Sequence, residues 1–244
     1  MELSADLSEE ALAEALPGRP VRTYPALLST EADALAWARS GGPEGALVVA
    51  DYQASPRGRA GWPWEVRQGR DLAFSLILRP PLPSEREGWL YTVATSGLAD
   101  ICGEDCEVEW PDEVRRDGAR AGAVGVHAEL GPHGVAWAVV NVLVPEAEPP
   151  RSELLAAVVA AVEDRYARPS GEVLADYLPR CETIGRGVRA RLIPLGPGGP
   201  QVTGTAVTSL EDGALVIETT EGRRVAIRPQ NLGLLEEAPA EGGP

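Results

Sequence analysis

The chain has 244 residues, of which 44% are hydrophobic, and its formal net charge at pH 7 is −15. This length and apolar content are typical of a globular protein with one substantial core, which excludes wholesale disorder. The acidic excess opposes binding to nucleic acid, and no apolar run reaches the roughly 20 residues that span a bilayer. The N-terminus is acidic where a signal peptide is basic. We therefore expect a cytoplasmic protein without nucleic-acid or membrane partners.

The first third of the chain predicts two helices and two buried strands. Ser8 and Ser29 each precede a segment of helical character, as helix N-caps do, which predicts a helix over residues 1–16 and another directly after Ser29. Compact apolar runs predict strands over residues 46–53 and 72–80, and a pair of prolines closes the second of these strands.

The middle of the chain predicts helices on either side of a strand hairpin. The apolar character of residues 89–102 indicates a buried helix, and two apolar strands over residues 123–130 and 135–144 flank a short glycine turn. The clearest helix opens at Ser152, because its apolar side chains recur at helical spacing and fall on one face. A shorter helix over residues 171–182 follows it.

The sequence pattern changes from Arg186 onward. Four or five short strands with tight turns follow within about fifty residues, a pattern typical of a small β-barrel. We therefore predict an α+β domain over residues 1–183, a small β-barrel over residues 184–237, and a disordered tail over residues 238–244.

Three residue types limit the chemistry. All 22 basic residues are arginine, so no mechanism that uses a lysine of this chain can operate. The three cysteines, an odd and sparse set, indicate reduced thiols, and no histidine stands at zinc-finger spacing, so we assign no metal ligands. Two of the carboxylates Glu109, Asp112 and Glu113 could still serve a metal through their oxygens, and a solvated acidic turn is as good an interpretation of them. His127 lies in a predicted strand, which favours a packed or lining role, and His133 lies in a turn.

Residues 50–64 are the most informative stretch. Arg57 and Arg59 surround a glycine directly after a buried strand, where planar guanidinium groups can bind carboxylate or phosphate oxygens in pairs. Trp64 is placed to stack on a purine or on a bicyclic ring. On these residues alone, a solvated loop of arginine and glycine is the better interpretation.

The order and spacing of this stretch resemble the biotin-binding loop of biotin protein ligases, A-[DE]-x-Q-x-x-G-R-G-R-x-G-R-x-W. Pro56 replaces the first glycine of that pattern and Trp62 replaces its third arginine. The matching positions are Ala50, Asp51, Gln53, Arg57, Gly58, Arg59, Gly61 and Trp64.

Further segments resemble the same family in the same order. Residues 28–30 are similar to its S-T-N/D element, residues 109–114 to its K-W-P-N-D segment, and residues 117–129 to its D-G-R-K-L-x-G-I-L-x-E segment. Asn141 stands where the family ends a strand with G-I-N-V. The resemblance covers nearly the whole chain and implies a biotin/lipoate ligase-like catalytic domain, with a mixed sheet and helices, followed by an SH3-like barrel.

The resemblance also implies an activity and a set of site residues. Such enzymes form biotinyl-adenylate from biotin and ATP with Mg²⁺ and pass the biotin to a lysine of a biotin carboxyl carrier domain, and they often form homodimers. Three arginines would act in catalysis, namely Arg57, Arg59 and Arg120. Biotin would contact Ser29, Thr30, Gln53, Arg57 and Gly58, and the nucleotide would contact Arg59, Trp64, Asp112 and Asn141.

Several positions depart from the family pattern and leave alternatives open. Glu109 stands in place of the lysine in K-W-P-N-D, and the second lysine maps to about Gly122, with Arg120 nearby in sequence. Besides a ligase of weakened activity, the sequence therefore allows a non-catalytic protein that binds biotin, its adenylate or another small acid. A lipoate or octanoate acyltransferase of the same fold is a third interpretation.

Overall fold

A computed structural model describes residues 2–148 and 150–238 and shows an α+β fold built on two sheets, which confirms the predicted class. The larger sheet has seven strands in the order β1-β2-β3-β7-β6-β5-β4, and it is mixed because β1 and β2 run parallel while the other pairs are antiparallel. Its strands are β1 (Val21–Tyr24), β2 (Leu47–Ala50), β3 (Leu72–Leu78), β4 (Glu107–Glu109), β5 (Glu113–Arg116), β6 (Ala119–Gly131) and β7 (Gly134–Val144).

Helices cover both faces of the large sheet. Side chains alternate between the faces of a strand, so Val48 and Val139 pack with α2 while Val49 and Val140 belong to the main core, which includes α3 and α4. The helices are α1 (Glu9–Ala15), α2 (Thr30–Arg39), α3 (Trp89–Cys102), α4 (Arg151–Ala167) and α5 (Ser170–Tyr177). No helix within the described residues is both long enough and apolar enough to traverse a membrane.

The second sheet follows α5 and contains five antiparallel strands in the order β11-β10-β9-β8-β12. The strands that come first and last in the sequence of this sheet, β8 and β12, are neighbours and pair with each other. The strands are β8 (Gly187–Leu192), β9 (Gln201–Ser209), β10 (Leu215–Glu218), β11 (Arg224–Ile227) and β12 (Leu232–Glu237). Closure of this sheet into an SH3-like barrel and the domain boundary near residue 183 stay predictions.

Several element boundaries differ from the sequence-based expectation. The predicted helix over residues 1–16 is a 3₁₀ turn, Ala5–Leu7, followed by α1, whose N-cap Ser8 accepts a hydrogen bond from the Ala11 N–H at 3.2 Å. The helix predicted to open at Ser152 begins one residue earlier. The helix over residues 171–182 ends at Tyr177 and continues only as a 3₁₀ turn, because Pro179 lacks an N–H to extend it. The predicted tail lies outside the described residues except for Ala238, whose N–H donates to Gly187.

A buried arginine fastens the N-terminal segment to the start of the informative loop. The side chain of Arg151 is 1% exposed and donates to Asp6 through Nε at 2.9 Å and Nη2 at 2.8 Å. Its Nη1 donates to the fully buried carboxylate of Asp51 at 2.8 Å. Ser4 donates to the same carboxylate at 2.7 Å. These bonds fix the backbone directly after β2, two residues before Gln53.

Candidate functional site

A buried cluster of polar side chains (the polar cluster) lies on the large sheet at the N-terminus of α2. The backbone N–H of Thr30 donates to Gln53 Oε1 at 2.9 Å, and the hydroxyls of Thr30 and Ser75 lie 2.9 Å apart. Ser75, which is fully buried in β3, donates to Asn141 Oδ1 in β7 at 2.7 Å. The cluster therefore brings together three predicted site residues, Thr30, Gln53 and Asn141, and adds Ser75.

The local fold explains why these groups point inward. Ser29 is the N-cap of α2, and its Oγ accepts the N–H of Ala32 at 3.2 Å, which leaves its own proton free to donate. Because Gln53 Oε1 faces the helix, its amide NH₂ is turned the other way. Leu28, the residue directly before Ser29, is 66% exposed.

Glu31 is a half-buried carboxylate next to the polar cluster that sequence reasoning did not select. Burial raises the pKa of Glu31 above its ordinary value of 4.5, and this effect exceeds the opposing effects of the Asn141 side chain, His127 and Arg57. The signal that could have found it is its place directly after Ser29-Thr30, where the family element carries Asn or Asp. His127 itself stacks on Trp137 with ring centroids 5.9 Å apart, which agrees with a packed side chain.

Two glycines allow residues 57–64 (the ligand loop) to lie directly on the large sheet. A Cβ on Gly58 would be 2.3 Å from the indole nitrogen of Trp64, and one on Gly125 in β6 would be 3.3 Å from the Gly58 backbone. A larger residue at position 58 would therefore displace the Trp64 ring or lift the loop. Arg57 is exposed, and its Nη1 donates to the Gly61 carbonyl at 2.9 Å, so its guanidinium folds back on its own loop.

Arg59 is the buried cation of the ligand loop. Its side chain is 9% exposed, its Nε lies 3.1 Å from Asp112 Oδ1, and its Nη1 donates to the carbonyl of Leu232 in β12. The Nε contact is an ion pair whose N–H direction is not that of a hydrogen bond. Burial raises the pKa of Asp112, and the attraction of Arg59 opposes that rise. Two predicted nucleotide-binding residues thus neutralise each other.

A cleft of about 380 Å³ opens between the ligand loop, the β4–β5 turn and β12. Its charged side chains pair with one another, since Arg115 lies 2.7 Å from Glu109 and 3.3 Å from Glu113, and Arg120 also pairs with Glu113. Its wall is lined by Arg59, Trp62, Pro63, Trp64, Glu109, Trp110, Pro111, Asp112, Glu113, Arg115, Arg120, Leu234 and Leu235. The cleft therefore contains as many carboxylates as guanidinium groups.

The two missing lysine positions have different surroundings. Glu109 is half-exposed at the cleft, where a longer side chain has room. At Gly122 a Cβ would lie 2.6 Å from a methyl carbon of Leu98, so a side chain on this residue would collide with α3. Arg120 reaches the cleft two residues earlier in β6 and is the cation nearest in sequence to the second lysine position.

The structure offers no arrangement for a metal held by protein side chains alone. Across residues 2–148 and 150–238, no group of three or more His, Cys, Asp or Glu side chains could hold a metal ion. Glu109, Asp112 and Glu113 each pair with an arginine instead. The three cysteines are free thiols.

Comparison with known proteins gives one consistent group of relatives, although no protein-family model matches the chain. Over 117 residues the chain is 32% identical to the bifunctional ligase/repressor BirA of Bacillus subtilis, a match that covers 46% of this chain and only 35% of that protein's length. Over 225 residues it is 28% identical to the biotin–[acetyl-CoA-carboxylase] ligase of Mycobacterium tuberculosis, with 82% of this chain and 83% of that protein covered.

A solved structure gives the same result for the fold. The biotin protein ligase from Aquifex aeolicus in complex with biotin and ATP superposes with a TM-score of 0.69 at 21% identity, covering 90% of this chain and 99% of that one. The match extends over both sheets, since it covers more of the chain than the large sheet alone.

Proposed function

Because the chain belongs to the biotin protein ligase family, we propose that it activates biotin with ATP and transfers it to a lysine of a carrier domain. The carrier that we propose is the biotin carboxyl carrier domain of acetyl-CoA carboxylase, the substrate in the name of the M. tuberculosis relative. The observation that carries the proposal is the polar cluster of Thr30, Gln53, Ser75 and Asn141, with the ligand loop beginning four residues after Gln53.

The polar cluster suits the ureido ring of biotin, which has two N–H donors and one carbonyl acceptor. The Gln53 amide that is turned away from α2 can donate to that carbonyl, and so can the free proton of Ser29. The hydroxyl of Thr30 can accept from a ring N–H. Gly58, which the resemblance assigns to biotin binding, lets the Trp64 ring pack against the loop backbone, because any Cβ there would meet that ring.

The chemistry proposed for the cleft has two steps. In the first, an oxygen of the biotin carboxylate attacks the α-phosphorus of ATP and pyrophosphate leaves. In the second, the amine of the carrier lysine attacks the acyl carbon, AMP leaves with the bonding electron pair, and the amine loses a proton. Both steps develop negative charge, which cations in a partly buried site stabilise.

We propose that Arg57 is the first arginine to contact the reacting oxygens. Its partner is the neutral Gly61 carbonyl, so Arg57 can turn toward a carboxylate or phosphate without leaving a charge unpaired. Arg59 and Arg120 would each have to leave a carboxylate, Asp112 and Glu113 respectively. We propose that Trp64 packs against the adenine, as its position over Gly58 at the cleft allows.

Mg²⁺ does not fit a protein-held site here, since the three carboxylates of the cleft are all paired with arginine. The assay therefore supplies Mg²⁺ only as the ordinary counter-ion of ATP.

The direct test incubates the protein with biotin, Mg-ATP and an apo carrier domain and measures pyrophosphate release and carrier labelling. We expect both signals with biotin and neither with lipoate or octanoate. Absence of both signals with biotin would refute the ligase proposal, and preferential labelling by lipoate would reassign the acid.

A second candidate function is supported by the charge pairing in the cleft. If Arg59, Arg115 and Arg120 keep their carboxylate partners, little positive charge is left for a triphosphate, and the protein would bind biotin or its adenylate without reacting. Calorimetry with biotin and with synthetic biotinyl-adenylate separates the two candidates. Micromolar binding without pyrophosphate release would identify a binding protein.

A charge-reversal pair then tests whether the cleft limits the rate. Glu109→Lys removes a carboxylate and places a lysine where the family pattern has one. We expect kcat/KM for ATP to rise about tenfold, which is less than the 10²–10³ that a fully oriented donor contributes to kcat. Glu107→Lys makes the same charge change two residues away, at the exposed first residue of β4 and outside the cleft lining. An equal rise in both variants would show a general charge effect and not a local one.

A further inference from the structure

The ligand loop is fastened to the C-terminal sheet at two neighbouring backbone carbonyls. The buried guanidinium of Arg59 donates to the carbonyl of Leu232, and the indole Nε1 of Trp62 donates to the carbonyl of Gly233 at 3.2 Å. Both acceptors belong to β12, more than 170 residues further along the chain. Arg59 also forms an ion pair with Asp112, which lies between β4 and β5 of the large sheet.

A β-bulge makes these carbonyls available. In the pairing of β12 with β8, Leu232 opposes Leu192 while Leu234 opposes Arg191, so Gly233 is an extra residue that stands between two paired ones. A bulge interrupts the ladder locally and releases backbone groups to other partners. Gly233 packs against Leu195, since a Cβ on this glycine would lie 2.5 Å from that side chain.

Trp62 would otherwise have little reason to stay in this position. Its side chain is 48% exposed, and large apolar rings at the surface gain little from packing. The indole N–H nevertheless finds an acceptor in the bulge, so the hydrogen bond and the Arg59 contacts together fix both halves of the loop.

We propose that Arg59 and Trp62 are positioning residues that hold the ligand loop folded on the bulge at Gly233 before any ligand binds. The C-terminal sheet then acts as part of the binding site, because it supplies the support against which the loop closes. The inference rests on the proposed function only for the identity of the ligand. It assigns Arg59 a mechanical role, since a phosphate would have to displace both Asp112 and the Leu232 carbonyl to reach it.

Trypsin reports the state of this loop directly, because the chain has no lysine and trypsin cuts only after arginine. Cleavage after Arg57 and Arg59 measures opening of the ligand loop in the full-length protein without ligand. Cleavage after Arg223, in the exposed turn between β10 and β11, provides the internal reference for a site that is accessible in the folded protein. In the wild type we expect the loop to be cut more slowly than the reference.

Trp62→Phe removes the N–H and keeps the aromatic ring. We expect the ratio of loop cleavage to reference cleavage to rise roughly two- to tenfold, as loss of one hydrogen bond predicts. Trp37→Phe, on α2 and away from the loop, is the matched control and should leave the ratio unchanged. Asp112→Asn, which removes the charge partner of Arg59, should raise the ratio as Trp62→Phe does.

The inference fails if the wild-type loop is cut as fast as Arg223, or if Trp62→Phe and Trp37→Phe give the same ratio. Neither outcome depends on catalysis, since no substrate is added. In the biotinylation assay, a loop that is open more often should raise KM for biotin with little change in kcat. A fall in kcat alone with unchanged proteolysis would also contradict the positioning role.

Discussion

Replacement of Arg151 by methionine tests the buried ion cluster that joins the N-terminal segment to the ligand loop. Methionine keeps much of the stem volume but removes the charge and every donor. Asp51, fully buried, would lose the one cation that pairs with it among residues 2–148 and 150–238. Asp6 would lose a charge partner that contacts it through two side-chain nitrogens. Removal of one partner of a buried pair destabilises by about 3–5 kcal/mol, because the other charge stays buried.

The lower part of that range applies here. Asp51 keeps a hydrogen bond from Ser4 at 2.7 Å and weaker contacts with Gln68 and the Gly69 N–H, both at 3.3 Å. We therefore expect a loss of about 3 kcal/mol in the free energy of unfolding. For a chain of this size that corresponds to a fall in Tm of roughly 6–12 °C.

The effect should depend on pH with a definite sign. The pKa of Asp6 is lowered mainly by the hydrogen bonds from Arg151, and that of Asp51 is lowered because its hydrogen bonds together outweigh a large opposing effect of burial. A lowered pKa in the folded state gives stability that is present above the unfolded pKa and is lost as pH falls through the folded pKa. The difference between wild type and variant should thus shrink as pH falls below about 4.

Urea unfolding followed by circular dichroism at pH 7 and at pH 3.5 measures both quantities. The double variant Arg151→Met/Asp51→Asn is the matched control, because it removes the uncompensated charge and should recover part of the loss. A deficit below about 1 kcal/mol at pH 7, or one that does not change with pH, would refute the reasoning, since the pair would then behave as an exposed one.

Two further changes probe the polar cluster and the helix packing. Burial raises the pKa of Glu31, so the wild type loses stability as pH rises from 4.5 through the folded pKa. The variant Glu31→Gln should therefore have a higher Tm than the wild type at pH 7.5 and nearly the same Tm at pH 4. Equal Tm values for variant and wild type at both pH values would contradict this. Gly97→Ala places a Cβ 2.7 Å from the Val162 backbone and should cost about 1–3 kcal/mol. Gly171→Ala in α5 has nothing within 4 Å and should stabilise by up to about 1 kcal/mol, so thermal melts of the two glycine variants should shift in opposite directions.

The sequence predicted the elements whose own pattern determines their burial. The long helices α3 and α4 and the hairpin of β6 and β7 have enough periodic apolar residues to identify them. The short strands β1, β4 and β5 of the large sheet were not predicted, because their pattern depends on neighbours: in β5 only Val114 is fully buried, and no side chain of β1 is. A strand of four residues with one buried side chain carries too little periodicity to predict.

The site shows the same division between local and long-range information. Ser29, Thr30 and Gln53 were predicted from a loop pattern and a short motif, and the structure places their backbone segments side by side. The partners of Arg59 were not predicted, because Asp112 and Leu232 come close only through the tertiary fold. Glu31 was missed because a carboxylate in the first turn of a helix is ordinarily explained by the helix dipole.

The acidic replacements in the cleft have a physical explanation. Three guanidinium groups within about 380 Å³ repel one another unless anions lie between them, and Glu109, Asp112 and Glu113 supply those anions. The carboxylates that replace the family's Lys, Asn and Asp therefore compensate for arginine and do not simply abolish a site. A nucleotide must then displace carboxylates from arginines that are already paired, so its affinity should depend on ionic strength less steeply than in a cleft with free cations. The ratio of KM for ATP at low and at high salt measures that displacement, and Glu109→Lys should make it steeper.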